Sequence, residues 1–205
     1  MLKKLIAVSL AAVMAIGMGT VSFAAEPLPG DDYTFEEFST IVENAFAEEG
    51  HTVKITGYDE DVALTQEFLD EWLDRIHTDA PVPVMSVAEP VLVLESEVAR
   101  GNFSERTYSY YKELTTPGVP GFCEVKVTLE VLLFAGTGEL YDVADVSSRK
   151  SAGLLANSWN PTDETASIAS SYRAVDVDIE GYVEWGYDGL SISSEHTFSH
   201  TFNVG

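Results

Sequence analysis

Residues 124–134 read EVKVTLEVLLF, and polar and apolar side chains alternate from Glu124 to Val131. Val125, Val127, Leu129, Val131 and Leu133 share one parity; Glu124, Lys126, Thr128 and Glu130 share the other. A period of two is that of a pleated strand, with one face set for burial and the other for water. A helix would scatter the same side chains around its circumference. A half-buried strand of this length needs hydrogen-bonding neighbours and a second layer over its apolar face. No other feature restricts the fold as strongly.

Five further segments read as strands: Pro90–Arg100, Thr107–Leu114, Glu139–Ser147, Ala166–Gly186 and Ser191–Val204, beside Phe122–Ala135 itself. Turn chemistry separates them: TTPGVPG, the GTG at 136–138, a loop over NPTDE, and YDG at 187–189. Residues 84–205 are therefore expected to form an antiparallel β-sandwich or curled sheet of about six strands.

The preceding segment, 25–83, reads differently. Thr34 and Glu37 form a capping box, and Phe38, Ile41, Val42, Ala45 and Phe46 follow at helical spacing up to Gly50. His51–Tyr58 alternates as a strand, and a second amphipathic helix is expected from about Val62 to His77. This helix–strand–helix piece is too small to hold a core alone. Two amphipathic helices packed against the sheet make the expected class α+β.

The N-terminus has a basic start at Lys3 and Lys4, an apolar run, and small residues at Ser22 and Ala24. That pattern predicts a signal peptide over 1–24, cleaved after about Ala24, with an uncleaved membrane anchor as the rival reading. Removing Lys3 and Lys4 deepens the net charge from −23 to −25. Such a chain repels phosphate backbones and anionic lipid, so no nucleic-acid partner and no membrane partner after cleavage is expected. The charge fits solubility, an ability to collect cations or a basic partner and selects none of these. The partner expected is an extracellular glycan or protein, a protein partner being of basic character. Cys123 is the only cysteine and shares the parity of Val125 and Val127, which reads as a small core residue rather than a reactive thiol.

Candidate chemistry is sparse. Asp176, Asp178, Glu180 and Gly181 imitate the start of a calcium loop, but its twelfth position is Tyr187 instead of a bidentate Glu. Val175, Val177, Ile179, Val183 and Trp185 alternate around those acids, so a solvated strand face is the expected reading and no cofactor is required. Calcium stays as the alternative, completed by another segment. His196 and His200 have zinc-like helical spacing, yet they share parity with Phe198 and Phe202 on an expected strand. Neither G-x-S-x-G nor H-E-x-x-H is present, and GTG lacks the Lys-Ser/Thr of a phosphate loop. Paired carboxylates of a glycoside hydrolase are open to any chain this acidic. Asn102-Phe103-Ser104 matches a glycosylation sequon and reads as chance beside a bacterial-type leader.

Aromatic side chains remain. Trp159 in the expected ANSWNP loop is the main candidate for an exposed ring, with Tyr182 and Tyr187 near the last turn. The resulting expectation is a secreted, non-enzymatic interaction module. A calcium-stabilised β domain comes second and a carboxylate glycosidase third.

Overall fold

The computed structural model describes residues 30–78 and 93–204. The expected leader, 1–24, lies outside the described residues, as does the first part of the strand expected from Pro90.

Two helices and eight strands follow as α1 (Phe35–Glu48), β1 (Val53–Tyr58), α2 (Gln66–His77), β2 (Val93–Arg100), β3 (Phe103–Leu114), β4 (Phe122–Phe134), β5 (Leu140–Leu154), β6 (Ala156–Ile168), β7 (Ala174–Tyr187) and β8 (Leu190–Asn203). One sheet has the order β1-β8-β7-β6 and the other β2-β3-β4-β5. Every pairing within them is antiparallel. The α+β class with antiparallel sheets is as expected, but the strand count is eight and not six.

Of the two additional strands, one is β1, expected in the helix–strand–helix segment and found as an edge of the first sheet. The other follows from two corrections between residues 156 and 187. The segment Ala166–Gly186 is not one strand. It breaks at a turn over 169–173, closed by Ala169 N–H donating to Ala174 O, with Tyr172 at φ +55°. The turn holds no Gly, Pro, Asn or Asp. Its turn-type residues are Ser170 and Ser171, the weakest of that set, and Ser171 Oγ accepts from Arg173 N–H at 3.3 Å. In turn, the NPTDE stretch is not a loop. It lies within β6, which begins directly after Leu155. Leu155, at φ +64°, is the single residue by which the chain leaves one sheet and enters the other.

The core lies between the sheets. Cys123, Val125, Val127, Leu129, Val131 and Leu133 of β4 face Val175, Val177, Ile179, Val183 and Trp185 of β7 and Phe198 and Phe202 of β8, all buried. The parity read from β4 is the parity observed.

The helices do not spread over a sheet face. Both inner faces are already used against each other, so the helical stripes bury elsewhere. Phe38 of α1 stacks on Phe68 of α2, with centroids 5.5 Å apart. The pair closes one end of the β structure. Trp72 meets Tyr187 edge-on at 5.7 Å, and Arg75 Nη1 donates to Asp188 Oδ2 at 2.6 Å. At the β3–β4 connection, a Cβ on Gly118 would stand 3.4 Å from Ile76 Cγ1. The Thr34–Glu37 capping box forms as expected. Helix α2 starts later than expected, at Gln66, because Leu64 is held outside it: its N–H donates to Asp31 and its carbonyl accepts from Tyr33 N–H.

Candidate functional site

At the opposite end from the helices, three aromatic rings meet on the outer face of the second sheet. Phe103 of β3 stands directly across from Phe134 of β4. Tyr141 reaches them through a register shift: Leu132 pairs with Asp142 and Leu133 with Leu140, so Tyr141 is the unpaired extra residue of a bulge. Ring centroids lie 5.5 Å apart for Phe103–Phe134, 4.8 Å for Phe103–Tyr141 and 5.3 Å for Phe134–Tyr141. The cluster is open to water, with Phe134 40% and Tyr141 54% exposed.

The adjoining turns are tied together. Ala135 N–H donates to Asn102 O at 2.9 Å, and Gly138, at φ +70°, donates its N–H to Phe134 O at 2.8 Å. That left-handed conformation suits glycine, which explains the GTG there. Between the turns lies a cleft of about 450 Å³ lined by Asn102, Phe134, Thr137 and Glu139 with intervening glycines and Ala135. It combines one ring of the cluster, Phe134, with an amide, a hydroxyl and a carboxylate, the group types that orient a polar ligand bearing apolar faces.

The residues expected to bind do not converge. Trp159 is 6% exposed on β6; its Nε1–H donates to Ser148 Oγ at 2.8 Å, and its ring packs near Phe198. The expectation of an exposed loop tryptophan is therefore corrected: β6 continues through the segment and turns the indole inward. Tyr182 lies on the outer face of β7, opposite Asn160 and Glu195. Tyr187 lies at the helical end, where it lines a cleft of about 370 Å³ with Tyr58, Asp59 and Asp188. Arg75 sits 5.6 Å from the Tyr187 centroid and 5.5 Å from Trp72.

Asp176, Asp178 and Glu180 are exposed on β7. Thr201 Oγ1 donates to Asp176 Oδ1 at 2.7 Å and Ser199 Oγ to Asp178 Oδ1 at 2.5 Å, each across the β7–β8 ladder. Alternate positions on a strand stand roughly 6.5 Å apart, too far to close around one ion. Among the described residues, no three His, Cys, Asp or Glu side chains gather as a metal site. His196 and His200 face inward on β8, four residues and so about 13 Å apart along the strand. The His200 ring stacks on Tyr110 of the other sheet at 3.8 Å.

His196 belongs to a buried polar knot. Ser194 Oγ accepts from Trp185 Nε1 and from Thr116 Oγ1, each at 2.8 Å, and lies 2.9 Å from His196 Nε2. With both lone pairs taken, the serine hydrogen points to Nε2, which must be unprotonated. Burial pushes the imidazole down to about 4, with the nearby His51 adding to the shift, which agrees. A serine hydroxyl on an imidazole resembles an activated nucleophile, but Ser194 is 3% exposed and sealed between the sheets. Two S-x-x-K tetrads, Ser109–Lys112 and Ser147–Lys150, lie on β3 and β5, where residues three apart point to opposite faces. Neither builds a serine–lysine pair.

Reading for loop tryptophans and tyrosines missed Phe103, Phe134 and Tyr141. One signal was present: Leu132 and Phe134 end the run with apolar side chains at the wetted parity, where positions 124–130 hold Glu, Lys, Thr and Glu. The chain matches no family model, no curated protein and no solved structure.

Proposed function

We propose that this protein is an exported, non-enzymatic binding module that takes a glycan at the Phe103–Phe134–Tyr141 end. The observation that carries the reading is the exposed aromatic cluster beside the Asn102–Glu139 cleft. Exposed phenylalanine gains nothing from water, so a contiguous group of such rings marks a contact surface. A pyranose offers C–H faces to aromatic rings and hydroxyl edges to amide and carboxylate groups, and the cleft holds both kinds of partner. Glu139 is its sole carboxylate. Hydrolysis by the usual route requires two, about 5–9.5 Å apart, so binding is favoured over cleavage. The acidic charge keeps nucleic acid and anionic lipid away while leaving a neutral glycan unaffected.

The test is affinity electrophoresis through gels containing a panel of soluble polysaccharides. At least one polysaccharide retards the wild-type chain, and Tyr141→Ala and Phe134→Ala restore free mobility with unchanged thermal midpoints. Retardation that survives both substitutions places binding elsewhere; no retardation by any polysaccharide ends the glycan reading. A fall in thermal midpoint on adding chelator would instead support the calcium-stabilised alternative.

A further inference from the structure

The two sheets have four outer edges, and three of them carry a device that blocks pairing with another chain. Edge β1 lies under α1, and Glu43 Oε1 takes the Ile55 N–H at 2.9 Å. Edge β6 contains Pro161, which has no N–H to offer, and a register shift follows it. Edge β5 is interrupted by three register shifts in its pairing and runs into the β5–β6 corner. Bulges, prolines and covering helices are the usual protections of an exposed edge.

Edge β2 is different. All eight residues, VLESEVAR, are exposed, and among the described residues no strand lies on its outer side. It contains no proline and no lysine, and after one shift near Leu94 its pairing with β3 is regular through Arg100. Its charges are already matched within the chain. Glu95 pairs with Lys126 at 2.5 Å, Glu97 with Arg106 at 3.1 Å, and Arg100 with Glu105 at 2.7 Å. Val93, Leu94 and Val98 are 40%, 48% and 50% exposed. A regular edge of this kind, locally neutral and studded with apolar side chains, is a template for another strand.

We propose that β2 is a self-association edge at which a second copy of this chain adds antiparallel to the first. Two-fold pairing centred on Val98 sets Val98 against the second copy's Val98, Ser96 against Arg100, and Glu97 against Ala99. This register opposes no like charges and places an apolar pair on the axis. Moving the centre to residue 97 would set Glu97 against itself. The favoured register joins the sheets as β5-β4-β3-β2 followed by the same strands reversed, with main-chain bonds across the seam. The axis stands perpendicular to the sheet, so both copies turn the same outer face to solvent.

The net charge of each copy opposes association at long range, but 16 of the 34 acidic residues fall within residues 25–80, ahead of β2. Physiological salt screens exposed charges beyond about 8 Å, so backbone pairing and valine burial decide the contact.

The experiment is sedimentation equilibrium of the full chain at up to hundred-micromolar concentration. Wild type sediments as two copies. Val98→Lys and Val98→Glu, at a half-exposed outward position, each sediment as one copy with an unchanged thermal midpoint. An equimolar mixture of the two variants recovers the two-copy mass, because Lys and Glu then face one another across the axis. A wild type that stays monomeric, a Val98→Lys chain that still pairs, or a mixture that remains monomeric overturns the proposal.

Discussion

The indole of Trp159 lies against the backbone of Gly181: a Cβ on that glycine would stand 2.6 Å from the ring's Cζ2. Gly181 has the parity of the inward apolar residues of β7, and the missing side chain is the space the tryptophan fills. A glycine inside a strand weakens it unless something packs closely there.

Gly181→Ala is therefore expected to destabilise the protein by about 1–3 kcal/mol, because the new methyl group also meets Asn160 O at 2.7 Å. Trp159→Phe relieves the clash but loses the bond to Ser148, at a cost of about 1 kcal/mol beyond the lost packing. Urea unfolding of the two single variants and the double variant measures both. Additive costs would show that ring and glycine are not coupled.

Acid should weaken the fold before the carboxylates titrate. The His196 imidazole is held down to about 4 in the folded chain, against an ordinary value of 6.5. Between these values the unfolded chain takes up a proton that the folded chain refuses. Stability is thus complete above pH 6.5 and falls by about 3 kcal/mol as pH drops towards 4. His200, lowered by burial, acts in the same direction. Thermal midpoints from pH 7.5 to 4.5 should show this slope, and His196→Gln should flatten it.

Cys123 is fully buried, and burial pushes its thiol up to about 11. A thiol with so little thiolate and no access should ignore an aromatic disulfide reagent in the folded state. Labelling should follow the unfolding rate as denaturant is added. Prompt reaction in buffer would contradict the assigned packing.

Much of the architecture was legible because burial imposes a local pattern. The β4 run announced its own inward face, and the capping box announced the start of α1. The same rule placed Asp176, Asp178 and Glu180 on a wetted face, where hydroxyls of β8 now meet two of them. What failed had weak or misleading local chemistry. The turn at 169–173 uses Tyr172 in a left-handed conformation without a glycine, so the end of β6 and most of β7 read as one long strand. Trp159 read as a loop residue because turn-type residues, Asn160, Pro161 and Asp163, follow it, and its inward direction depends on Gly181, a partner twenty-two positions away.

Alternating side chains determine that this chain makes strands with one dry face, because the pleat alone decides which residues share a side. They cannot determine what lies across a strand. Phe103, Phe134 and Tyr141 meet only because one register sets Phe103 opposite Phe134 and a bulge in the next projects Tyr141 towards them. Pairing register is a long-range choice, settled by the whole core at once, and that choice brings the surface rings together.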